Sequence, residues 1–154
     1  AGSVILIKKD FFKKIGKWSE SKFWMYSEDP DICLKSQKFG KKIALLRNVE
    51  LKHLHGGSSR RTPETTAITK SEVVTSSHVF IQENTRGLNR LALHLVIIIN
   101  TLISWLARTI VTLPFFWKDL FKANLLTFIA IIKYYLSALI GSSWKSKRLQ
   151  NNES

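Results

Sequence analysis

The sequence predicts an α/β fold over residues 1–90, followed by an apolar helical hairpin over 91–144 and a basic, polar tail over 145–154. Short β-branched and aliphatic runs alternate with helix-like segments in the first part, the pattern of an α/β layer. After Arg90 the composition turns almost wholly apolar in two long runs separated by a short polar turn, WKDLFK. Spanning a bilayer takes about 20 apolar residues, so the first run is long enough and the second is marginal.

Taken in order, residues 4–7 (VILI) fit a buried strand. Asp10 caps a short helix over 11–15 that Gly16 closes. Residues 18–26 are aromatic and irregular and suit the floor of a cleft. The Asp29-Pro30 pair has the order of an N-cap followed by proline at the first helical position, where the missing N–H costs nothing. That helix runs to Phe39 and stops at Gly40, the usual left-handed C-terminal position. Residues 43–46 and 49–51 read as two further short strands. Gly56-Gly57 breaks any continuing strand, and the Ser-, Thr- and Arg-rich stretch 58–70 reads as a loop before a helix over 71–84. The apolar runs are 91–117, interrupted by His94, Asn100 and Arg108, and 125–140, which contains only Lys133. They either cross a membrane as a hairpin with both ends cytoplasmic or lie in the interface, anchored by Trp105, Trp117 and Trp144. Arg108 and Lys133 favour the in-plane arrangement, because a charge at the bilayer centre costs about 2.5–3.5 kcal/mol.

With 24 Lys+Arg against 11 Asp+Glu, the chain carries a net charge of +13, which raises nucleic acid, anionic lipid and phosphorylated ligands together. The cations are not gathered into a block: 13 basic against 6 acidic residues lie in 1–60, and 7 against 2 in 91–154. They are scattered between aromatic and aliphatic residues, and no nucleic-acid-binding motif is present, so nucleic acid is not the expected partner. The single cysteine, Cys33, excludes an internal disulfide and a cysteine-rich zinc site, and it falls in an apolar helical pattern that fits a buried position. The start, AGSVILI, has no basic leader or cleavage-type signal and reads as the middle of a domain with something upstream.

Chemistry concentrates in two stretches, 24–40 (WMYSEDPDICLKSQKFG) and 50–60 (ELKHLHGGSSR). An acidic cluster, a histidine pair and a glycine-serine-arginine turn suit transfer of a sugar from a nucleotide diphosphate. A carboxylate can take the proton of an acceptor hydroxyl, an imidazole can ligate a divalent cation, and a Gly-rich turn ending in Arg can hold phosphate oxygens. Each feature also has a plainer reading: Asp29 as a helix cap, His53 as a structural histidine after a strand, and Gly56 to Arg60 as an ordinary loop. Trp24 and Tyr26 fit either stacking on a sugar or an aromatic core.

The order and spacing of GSVILIK, FKKIG, FWMYSEDPDICL, Gly40 and HLHGGSS resembles the C-terminal half of the catalytic domain of family 2 glycosyltransferases, nearest to the rhamnosyltransferase-like members. The resemblance covers residues 1 to about 90. It implies a partial GT-A domain, a Rossmann-like α/β sandwich that binds a nucleotide-diphospho-sugar, and a reaction that inverts the anomeric carbon. It also implies Asp29 as catalytic base with Glu28 beside it and Asp31 as a second acid. His53 would complete a Mn²⁺ or Mg²⁺ site, neutral imidazole suiting Mn²⁺ better. Gly56, Gly57, Ser58, Ser59 and Arg60 would hold the diphosphate, and Trp24 and Tyr26 the sugar or acceptor. A helix N-terminus favours negative charge at Asp29. Two departures stand out: Pro30 occupies a position usually aliphatic, and the nucleotide-binding half with its Asp-x-Asp motif is missing. The implied protein is a fragment, inactive by itself, of an enzyme at the cytoplasmic face of the membrane acting on a glycan or lipid-linked acceptor in cell-surface polysaccharide synthesis. The competing class is a basic, membrane-anchored protein with no catalytic role.

Overall fold

A computed structural model describes residues 5–46, 48–50, 52, 62–141 and 143–150. Among these residues the fold is helical and contains no strand, which overturns the α/β, GT-A expectation. The runs expected as strands are irregular chain at 5–8 and 41–46, with Leu6 92% and Leu45 84% exposed. A strand needs a neighbour to take up its N–H and C=O groups, and no described segment lies alongside either run to do so. β-Branched composition alone does not make a sheet.

Two short helices shape the N-terminal part. In α1 (Lys9–Lys14), Asp10 lies in the first turn and Lys13 and Lys14 in the last, which complements the helix dipole. The second, α2 (Glu28–Lys38), carries Glu28, Asp29 and Asp31 in its first turn and Lys35 and Lys38 in its last. It starts one residue before Asp29, so Ser27 is the N-cap and Asp29 and Pro30 sit inside the first turn, where free N–H groups still tolerate proline. Its end matches the expectation at Gly40, which adopts φ +69° while Gly40 N–H donates to Gln37 O at 2.8 Å and Lys41 N–H to Ser36 O at 3.0 Å. This paired closure is the Schellman arrangement that glycine permits.

The remaining helices, α3 (Pro63–Asn84), α4 (Gly87–Thr112) and α5 (Asp119–Gly141), form an up-down-up bundle. α3 begins well before residue 71, because Thr62 and Thr65 form a reciprocal capping box and Pro63 occupies the first turn. Its Pro- and Thr-rich first turns are the part that reads as loop; the expected helix over 71–84 is the rest of the same element. Thr69 donates to Thr65 O at 3.1 Å, Thr75 to Ser71 O at 3.2 Å and Ser76 to Glu72 O at 2.8 Å, so polar side chains enter the interior already satisfied. Val74 of α3 packs with Ile131 and Tyr135 of α5, and Glu64 lies by Lys122, so these two helices run parallel along their length. α4 runs back against both: Asn124 Nδ2 donates to Thr112 Oγ1 at 3.2 Å at one end, and His94 meets His78 toward the other. α3, which precedes residue 90, packs against both apolar helices. Two helical segments, Gly87–Phe115 and Asp119–Gly141, are long and apolar enough to cross a membrane.

Candidate functional site

The start of α2 and the loop before it enclose an open cleft of about 380 Å³ lined by Trp18, Ser19, Glu20, Phe23, Trp24, Glu28 and Asp29. Three expected site residues, Trp24, Glu28 and Asp29, thus come together on one wall. The backbone that delivers them is unusual: Tyr26 and Ser27 both adopt left-handed conformations, φ 68° and 63°, without being glycine. Such residues cost about 1–3 kcal/mol each and turn the chain sharply, so that Trp24 and the first turn of α2 face the same hollow. Glu28 Oε2 is shielded from solvent and takes no hydrogen bond among the described residues.

Asp31 and Tyr26 do not line the cleft. Asp31 is buried, accepts from Ser19 Oγ at 2.6 Å and pairs with Lys35 Nζ at 2.9 Å; Lys35 also donates to Ser19 Oγ at 2.6 Å and to Lys17 O at 3.2 Å. This triad fastens α2 to the 17–19 turn, so the carboxylate is engaged in holding the wall rather than facing a ligand. His53, Gly56, Gly57, Ser58, Ser59 and Arg60, expected at a cation and diphosphate, lie outside the described residues. Among the described residues no three His, Cys, Asp or Glu side chains converge on a possible cation position. The acidic wall of the cleft thus does not by itself fit a Mn²⁺ or Mg²⁺ site, which wants several oxygen ligands around one point.

The cleft rests on the bundle through α3. Ser76 Oγ donates to Met25 O, Lys22 pairs with Glu83, and Arg148 from the tail pairs with Glu72. Glu72 is only 1% exposed, and its other oxygen has no hydrogen-bond partner among the described residues. The same Arg148 guanidinium lies over the Trp24 ring, 5.3 Å from its centroid, so one side chain ties the cleft wall to the middle of α3.

Inside the bundle, His78 Nε2 lies 3.2 Å from the Tyr135 hydroxyl, and Trp144 stacks at 4.4 Å over both His78 and His94. Burial, reinforced by His94, pushes the His78 imidazole down to about 3, so it is neutral at ordinary pH. Trp144, expected as an interfacial anchor, is turned inward instead, and Tyr134 fixes it by donating to its carbonyl at 3.0 Å. Sequence reading missed Glu72, His78, Trp144 and Arg148 as an ensemble. The available signal was His94, an ionisable side chain inside an apolar run, which calls for a buried partner.

No protein-family model, curated protein or solved structure matches this chain. Fold and site together define a helical protein in which an acidic, tryptophan-lined cleft is mounted on a bundle containing two helices of membrane-spanning length.

Proposed function

We propose that this chain serves the acceptor side of an inverting sugar transfer from a nucleotide-diphospho-sugar to a glycan or lipid-linked acceptor at the cytoplasmic face of a membrane. The observation that carries the reading is the convergence of Trp18 and Trp24 with Glu28 and Asp29 in one open cleft. Indole faces cover the C–H faces of a sugar ring while carboxylates accept its hydroxyls. In the step itself, the acceptor oxygen forms a bond to the anomeric carbon from the side opposite the phosphate. Its proton passes to the Asp29 carboxylate, and the anomeric carbon–oxygen bond to phosphate breaks, releasing the nucleoside diphosphate. Glu28 lines the same wall beside Asp29.

The test pairs two readouts. Oligosaccharide titration of the chain should quench tryptophan fluorescence, and Trp24→Ala should weaken that binding. Transfer is measured as nucleoside diphosphate release in native membranes that carry the product of the whole gene. Asp29→Asn should lower release by about 10²–10⁴-fold while saccharide binding persists. Unchanged release in Asp29→Asn would sink the catalytic assignment; a cleft indifferent to saccharides would favour a non-catalytic, membrane-anchored protein.

A further inference from the structure

We infer that the bundle lies in the plane of an anionic bilayer surface, with α4 and α5 half-sunk and the cleft held above them, and does not cross the membrane. The inference rests on membrane association of the apolar helices and is independent of sugar transfer. Its carrier is the packing of α3. This helix runs parallel to α5 from the Glu64–Lys122 end to the His78–Tyr135 contact, and its middle holds the N-terminal part through Ser76 and Met25. If α4 and α5 crossed a bilayer, the buried Glu72–Arg148 pair, level with the middle of α5, and the acidic cleft tied to it through Trp24 would be drawn toward the hydrocarbon centre. Each of those charges opposes insertion, and the cleft would lose its access to water.

The other side of the bundle has the opposite character. Val96, Ile103 and Ile110 recur every two turns on α4, and Ile129, Leu136 and Ile140 follow on α5; all six are exposed, Val96 by 63%. They form a continuous apolar face turned away from the core. Charge selects the occupant. From residue 87 to 141 the basic residues are Arg90, Arg108, Lys118, Lys122 and Lys133, against the single acid Asp119. Arg108, whose guanidinium lies over the Trp105 ring on the flank of α4, can reach headgroups while its stem covers lipid, whereas Arg90 Nε donates to Thr85 O at 2.8 Å. Trp117, 60% exposed at the turn between α4 and α5, sits where an interfacial indole is wanted. An apolar face rimmed by cations matches anionic phospholipid, and an apolar protein partner would leave the rim unpaired.

The experiment places one reporter cysteine at each end of α4 in a Cys33→Ser background: Asn89→Cys before the apolar face and Lys118→Cys at the turn. Each variant is diluted from detergent into preformed phosphatidylcholine vesicles with or without phosphatidylserine, floated, and labelled with a membrane-impermeant maleimide. In-plane seating gives equal labelling of both positions without permeabilisation, and a bound fraction that falls several-fold when phosphatidylserine is removed or salt is raised. Labelling of Lys118→Cys only after permeabilisation, with Asn89→Cys labelled freely, would establish a crossing hairpin and overturn the inference. So would failure to float with either lipid. Saccharide quenching read in the same vesicles reports on the cleft separately, so a failure here does not count against the sugar-transfer reading.

Discussion

His78 and His94 face each other nitrogen to nitrogen: their Nδ1 atoms are 2.7 Å apart, the ring planes differ by 6° and the centroids are 5.0 Å apart. One proton satisfies this contact when both rings are neutral. A second proton would add a charge in a space faced by Tyr134, Tyr135 and Trp144, with Arg90 acting on His94, and with the nearby Glu72 already held by Arg148. With the folded His78 near 3 and an unfolded histidine near 6.5, the unfolded chain binds more protons throughout that window. Stability is therefore fully present above about pH 6.5 and declines as pH falls toward 3. Between pH 7 and 5 the loss is about 2 kcal/mol, visible as a falling melting temperature in detergent. His78→Gln should flatten most of that slope; an unchanged slope would mean the pair is not what titrates.

The pairing of Glu72 with Arg148 makes a sharper claim, because Glu72 is almost wholly enclosed and Arg148 is its only ion-pair partner among the described residues. Arg148→Ala leaves a buried charge uncompensated and should destabilise the bundle by about 3–5 kcal/mol in thermal unfolding. Adding Glu72→Gln should restore much of that loss. Arg148→Ala also uncovers the Trp24 ring, so the emission of Trp24 should change in the single and double variants alike. If the double variant were no more stable than the single, the pair would not be the source of the stability.

Ser27 offers a test of backbone strain. Its φ of 63° is left-handed, and its side chain makes no capping hydrogen bond, so glycine loses nothing there and relieves the conformation. Ser27→Gly should raise stability by about 0.5–1 kcal/mol with the cleft intact. A destabilised variant would show that the hydroxyl has a role the geometry does not reveal.

What could be read from sequence was local. Glu28 and Asp29 sit in the first turn of a helix that Gly40 ends, and the apolar runs after Arg90 mark α4 and α5, because capping and apolar length are short-range signals. The strands failed because VILI and IALL carry strand composition but have no described segment to pair with, a condition no window of residues can report. α3 was shortened for a different reason: Pro63, Thr65, Thr66 and Thr69 read as loop by type, yet Thr62 and Thr65 cap the helix start and the buried Thr69 bonds its hydroxyl within the helix. By sequence Trp144 reads as an interfacial anchor and Arg148 as part of a basic, polar tail, whereas each meets partners tens of residues away. Such contacts follow from the topology of the bundle and leave no spacing to find.

Asp29 and Asp31 are two residues apart, and the fold assigns them different duties. Asp29 lines the cleft, while Asp31 is buried against Ser19 and Lys35 and locks the turn that carries Trp18 and Ser19. Asp31→Asn keeps the shape but weakens a charge-assisted pair in a buried place, so its cost falls on stability, about 1–3 kcal/mol. Asp29→Asn removes a half-exposed carboxylate that accepts no hydrogen bond in any described contact, so the fold should keep its stability within about 0.5 kcal/mol. Thermal unfolding and saccharide quenching on both variants separate the two roles. Asp31→Asn should lower the melting temperature and leave saccharide affinity, measured well below that temperature, within a few-fold. Asp29→Asn should leave the melting temperature in place and, in the transfer assay, abolish turnover. If instead Asp29→Asn unfolds the chain, the carboxylate serves the helix start and the acidic wall loses its chemical role.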